Sequence, residues 1–164
     1  MASNISKVKF FLSIALIVFS FLGLYFRLEL LDTVVINTWV IRDFDRAFNL
    51  VNGLYMPTAG PELSSSGRLP GPFLYFLLAI PILIKPLYQS VFNFNLLLNI
   101  LSVFCCFFVV KRHFGFYISL ISTILILISP PHIGVVGFPA NPSFLFPFIT
   151  LYFCINLIHK STPS

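Results

Sequence analysis

An all-α membrane protein is the fold class this sequence predicts, and three observations predict it. Hydrophobic residues make up 58% of the 164 and charged residues only 9%, where a soluble domain carries roughly a quarter of its residues charged. The mean hydropathy is +0.97. The apolar residues are gathered in runs bounded by Lys, Arg, Gly and Pro, the punctuation of membrane helices. Backbone groups in lipid must be satisfied within their own segment, so such runs fold as helices. The expectation is a single membrane module over residues 1–164, with about four transmembrane helices and juxtamembrane amphipathic helices in its first outer loop.

Charge and cysteine content narrow the class further. The net charge of +5 comes from basic residues scattered in ones and twos, which in a membrane chain set orientation. No nucleic-acid partner is expected. Cys105, Cys106 and Cys154 all lie within apolar runs without metal-ligand spacing, and adjacent cysteines do not readily bridge each other. They read as buried small hydrophobes.

The first span is expected over 9–31. Lys7 and Lys9 precede an uncharged run from Phe10 to Phe26, about 25 Å as a helix. A signal peptide starts in the same way, but no small-x-small cleavage site follows. Tyr25-Phe26-Arg27 reads as the interfacial end of a retained helix. The lysines put the N-terminus in the cytoplasm and the following loop, residues 32–91, outside the cell membrane.

All five acidic residues fall between Glu29 and Glu62, within or beside that loop. Val40 to Asn52 has helical period, with Ile41, Phe44, Phe48 and Val51 on one face. Arg42, Asp45, Arg46, Asn49 and Asn52 share the opposite face, while Asp43 lies on the border. This is a helix along the membrane surface, stopped by Gly53 and Pro57. Two readings of its charges stand open: a lattice of i,i+3 ion pairs, or one carboxylate turned toward a cavity. The border position favours Asp43 over Asp45 for the second.

Gly60-Pro61 and Pro70-Gly71-Pro72 bracket a polar strip that is neither helix nor central strand. Phe73 to Ile84 is apolar but has only twelve residues, about 18 Å against a hydrocarbon core of roughly 30 Å. Pro81 interrupts it, and it is expected to dip into the outer leaflet without crossing. Further spans are expected over 92–110, 114–131 and 142–158. With Phe73 to Ile84 not crossing, Lys111 and Lys160 fall in the cytoplasm beside Lys7 and Lys9.

The stretch "RDFDRAFNLVNGLYMPTAGPELSSSGRLPGPFLYFLLAIP" resembles the first outer loop of the multi-pass C-type glycosyltransferases. The matching elements are Arg42-Asp43, the spacing of Gly53 and Pro57, Gly60-Pro61, and Pro70-Gly71-Pro72 leading into Phe73-Leu74-Tyr75. "FPANPSFLFPF", Phe138 to Phe148, is similar to the Asn-Pro opening of the family's fourth span. The resemblance covers about Phe10 to Lys160. It implies transfer of a hexosyl or pentosyl group from a polyprenyl-phosphate carrier to an acceptor outside the cytoplasmic membrane. Asp43 would be the catalytic carboxylate, with Asp45 second. The chain departs from the commonest family form, an adjacent Asp-Glu pair, because Phe44 stands between its aspartates. Such enzymes run to several hundred residues, so the chain looks like their N-terminal module only, either a truncated gene product or one part of a split enzyme whose second subunit supplies the missing spans.

That chemistry needs a base within reach of the acceptor hydroxyl and cations for the leaving phosphate. Arg42, Arg46 and Arg68 suit the second task through their forked donors, and Tyr75 joins them as a substrate-binding candidate, although it and Tyr55 read as interfacial anchors rather than catalytic groups. A divalent metal is a possible aid, although two aspartates on different helix faces make a poor ligand set. His132 after Pro-Pro reads as a loop residue. The implied partners are a lipid-linked sugar donor and membrane lipids. Two other classes stay open: a non-catalytic remnant or accessory subunit with the same fold, and an unrelated transporter component or scaffold. The transporter predicts paired charges within spans, where only Asn93, Asn95, Asn99 and Asn156 occur.

Overall fold

In the computed structural model, residues 2–32, 36–62, 67–68, 71–134, 147–153 and 155–156 are described. These residues are helical apart from turns, short connections and one isolated antiparallel bridge between Glu62 and Arg68. The elements are α1 (Ala2–Asp32), α2 (Thr38–Val51), α3 (Phe73–Ile84), α4 (Tyr88–Phe114), α5 (Phe116–Ile128) and the short α6 (Pro130–Gly134). Residues 147–153 and 155–156 are helical as well, while 135–146 and 157–164, with most of the Asn-Pro motif, His159 and Lys160, lie outside the described residues.

Among the described residues, two helices are long and apolar enough to cross a membrane: α1, through Phe10–Glu29, and α4 along its whole length. Helix α1 runs past Phe26 to Asp32, and Arg27 is buried within it rather than marking its end. Helix α4 is a single helix of 27 residues, about 40 Å, longer at both ends than the expected 92–110. Lys111, Arg112 and His113 fill its last turn, where cations complement the exposed carbonyls. Gly115, at φ 85°, makes the whole connection to α5, a conformation that a side chain disfavours.

The expected span over 114–131 is divided. Helix α5 ends at Ile128, Ser129 is extended at ψ 117°, and Pro130 begins α6. Proline forces its predecessor out of the helical region, which accounts for the break. Pro81, by contrast, does not interrupt α3, which runs through it from Phe73 to Ile84. A proline in a helix removes one hydrogen bond, and Pro81 is itself buried among the residues that hold α3 in place.

Helix α2 begins at Thr38, capped by Asn37, whose side chain accepts from the Val40 N–H at 3.0 Å. Gly53, at φ 69°, closes the other end. Its buried face is Val40, Asp43, Phe44 and Ala47, so the face expected from Ile41 and Phe48 is rotated and both of those are exposed. The reason is tertiary. Phe44 and Ala47 pack with Leu74, Leu78, Ile82 and Val91, while Val40 packs with Phe92 and Leu96. Helix α2 is thus wedged between α3 and the first turns of α4, and Phe44 meets Tyr88 in a tilted ring contact, 4.0 Å between centroids.

Polar groups buried along α4 and α5 are satisfied mostly by their own helices. Ser102, Ser119 and Thr123 donate to carbonyls three or four residues back, each at 2.7 Å, as hydroxyls in apolar helices do. Asn99 donates to the Asn95 carbonyl at 3.0 Å. Arg27 donates through one nitrogen to the Gly23 carbonyl at 2.8 Å and to the Leu127 carbonyl at 3.0 Å, tying α1 to the last turn of α5.

Candidate functional site

The amphipathic helix brings Arg42, Asp43 and Arg46 to one end of the α2–α3–α4 cluster, where the Gly60-Pro61 strip and α3 meet them. Asp43 is only 2% exposed. Its Oδ1 receives Arg42 Nε at 2.9 Å and Arg42 Nη2 at 2.8 Å. Burial pushes its carboxyl above the ordinary aspartate value of 3.8, and this outweighs the opposing pull of Arg42 and then Arg46. Arg42 also lies over the Trp39 ring, 4.7 Å from the centroid, in cation–π contact.

Glu62 is the hub of the remaining contacts. Its Oε1 receives Arg46 Nη2 at 2.8 Å and Arg68 Nη2 at 3.1 Å, and its Oε2 lies 3.9 Å from Arg42 Nη1. Arg46, then Arg68 and Arg42, hold the Glu62 carboxyl below its usual range. Arg46 Nη1 donates to the Tyr75 hydroxyl at 2.8 Å. Tyr75 is fully buried, so an interfacial anchor is not its role here.

The structure therefore brings together Arg42, Asp43, Arg46, Arg68 and Tyr75. Asp45 is exposed and has no ion pair among the described residues. The i,i+3 lattice does not form. Arg42 pairs with its immediate neighbour, and Arg46 reaches across to Glu62. Glu62 and Trp39 were not picked out from the sequence as site residues. The one signal for Glu62 was its membership in the acidic cluster of the loop, because its partners are sixteen or more residues back on another element or six ahead.

The donor set does not fit a divalent cation. No group of three or more His, Cys, Asp or Glu that could hold a metal occurs among the described residues, and Asp43 and Glu62 are already engaged by guanidiniums. What the cluster offers is a buried base and a surplus of cations, three arginines to two carboxylates, suited to an oxyanion. His132, expected in a loop, falls within α6, and Asn141 lies outside the described residues. No protein-family model, no curated protein and no solved structure matches the chain.

Proposed function

We propose that the chain is a glycosyltransferase module that takes a sugar from a polyprenyl-phosphate carrier on the outer side of the cytoplasmic membrane. The observation that carries this reading is Asp43: a carboxylate buried on an otherwise amphipathic helix, raised in pKa, and bonded to the Arg42 guanidinium. In this reading Asp43 takes the proton of the acceptor hydroxyl as its oxygen attacks the anomeric carbon. The bond from that carbon to the phosphate oxygen breaks, and the released phosphate charge is held by the arginines. A second subunit supplies further spans, and lipid surrounds the apolar faces. The accessory, non-catalytic reading draws support from the closed pairing of Arg42 with Asp43 and Arg46 with Glu62, both at 2.8 Å. Membranes carrying the chain, supplied with polyprenyl phosphate bearing labelled hexose or pentose, should form labelled product above membranes lacking it. Equal labelling with the second subunit also present would leave the accessory and scaffold readings.

The topology we propose for this module has four crossings, by α1, α4, α5 with α6, and the segment containing 147–156, with the N-terminus cytoplasmic. Arg27 near the end of α1 touches Leu127 at the end of α5, which supports a common level for those two ends. Helix α3 packs through Leu74, Leu78 and Ile82 on α2 and the first turn of α4, which supports an α3 that stays on the outer side. In a cysteine-free background, Tyr88→Cys should react with a membrane-impermeant thiol reagent applied to intact cells, and Arg112→Cys should not. The reverse pattern would mean that α3 crosses.

A further inference from the structure

We infer that Glu62 is an internal competitor: its carboxylate occupies the oxyanion position among Arg42, Arg46 and Arg68, and a phosphate group must displace it to bind. The inference rests on the reading above for the lipid that carries the phosphate, while the exchange itself rests on the geometry.

One oxygen of Glu62 is shared by two guanidiniums, at 2.8 Å and 3.1 Å, and the other faces a third at 3.9 Å. Arg42 is committed to Asp43, so Glu62 brings one negative charge to the two cations of Arg46 and Arg68. A phosphate offers more oxygens to forked donors and more charge, and it engages them bidentately. The two carboxylates also differ in how firmly they are held. The Asp43 side chain is 3% exposed, whereas those of Glu62 and Arg68 are 42% and 50% exposed. Exposed pairs are held less firmly than buried ones, so the Glu62 side chain can rotate into water at a cost of about tenfold in affinity, while Asp43 stays in place.

An internal anion has a consequence for selectivity. Glu62 is tethered, so a free ligand competes against a high effective concentration. Inorganic phosphate in dilute solution competes poorly on those terms. A phosphate on a polyprenyl chain is concentrated at the membrane surface and adds apolar contact there. Glu62 thus sets a threshold that lipid-linked phosphate passes and free phosphate does not.

The single tryptophan of the chain provides the readout, because Trp39 lies 4.7 Å beneath the Arg42 guanidinium. The full chain in detergent micelles would be titrated with polyprenyl monophosphate, inorganic phosphate and uncharged polyprenol while Trp39 fluorescence is followed. Wild type should respond to polyprenyl phosphate, not to polyprenol, and to inorganic phosphate only at much higher concentration. Glu62→Gln should bind both phosphates about tenfold more tightly, the equivalent of one charged hydrogen bond no longer displaced. Arg68→Ala added to Glu62→Gln should reverse most of that gain. Glu62→Asp withdraws the charge by one methylene while preserving it, and should gain by a smaller factor. Unchanged or weaker phosphate binding in both Glu62 variants would make Glu62 a structural tie and overturn the inference. A gain for inorganic phosphate, with polyprenyl phosphate binding no better than it, would keep the internal competitor and remove the lipid-donor reading.

Discussion

Asp43→Asn should lower sugar transfer by about two to four orders of magnitude, the usual contribution of a general base, while Asp45→Asn should leave it near the wild-type rate. The asymmetry follows from environment, since the residues are two apart on one helix. Asp43 is 2% exposed and bonded to Arg42, whereas Asp45 is exposed. Asparagine keeps the shape of Asp43 and can still meet Arg42 through its carbonyl, so loss of activity with an unchanged melting profile isolates the proton transfer. The pH profile supplies a second readout. Burial raises the Asp43 carboxyl above 3.8, so the acid limb of activity should lie above the range of an ordinary aspartate and vanish in Asp43→Asn. The stability effects have opposite signs. The folded state binds the Asp43 proton more tightly than the unfolded chain does, so this residue's contribution to stability falls as pH rises from 3.8 through its folded value. Glu62 is lowered from 4.5, so its contribution is complete above 4.5 and fades as pH falls below it. Equal tolerance of both asparagine substitutions would sink the role given to Asp43.

What the sequence disclosed depended on whether the signal was local. The apolar run of α1, the twelve residues of α3 and the surface helix over Val40 to Asn52 with its Gly53 stop are written in periodicity, glycine and prolines, all readable within a few residues, whereas the start at Thr38 and the Asn37 cap come from the structure. Helical phase separated Asp43 from Asp45 for the same reason. Phase alone did not give the buried face of α2, because Phe44 and Ala47 are covered by α3 and Val40 by α4, and neither contact is encoded within the helix. Glu62 was missed on the same ground, since its guanidinium partners come from α2 and from the far side of the loop. The continuity of α3 through Pro81 is a tertiary override of a local rule. So is the burial of Arg27, which a hydropathy reading puts at an interface. That arginine and the glycine one turn before it carry the last expectation.

Gly23→Leu should destabilise the fold by about 3 kcal/mol, combining overpacking with a lost hydrogen bond to a charged group. Small residues let helices in apolar surroundings approach closely, and Gly23 is such a point. A Cβ there would stand 2.9 Å from the Leu127 carbonyl oxygen and 3.0 Å from Arg27 Nη1. The first obstacle is backbone, so α1 must move away from α5 rather than a side chain turning aside. The second is the guanidinium that closes the gap, for Arg27 Nη1 reaches the Gly23 and Leu127 carbonyls together. Leu127 lies in the last turn of α5, whose carbonyls have no partners within the helix, and a cation at a helix C-terminus is favoured by the dipole as well. Gly23 therefore makes room for Arg27, and the two contributions should be coupled. Arg27→Met removes the charge while keeping an apolar side chain. Thermal unfolding of Gly23→Leu, Arg27→Met and the double variant in detergent forms the cycle that measures this. The double variant should lose clearly less than the sum of the single losses, because the leucine no longer expels a guanidinium. Losses that simply add would mean that Gly23 and Arg27 act independently, and that the close approach of α1 to α5 does not depend on this contact.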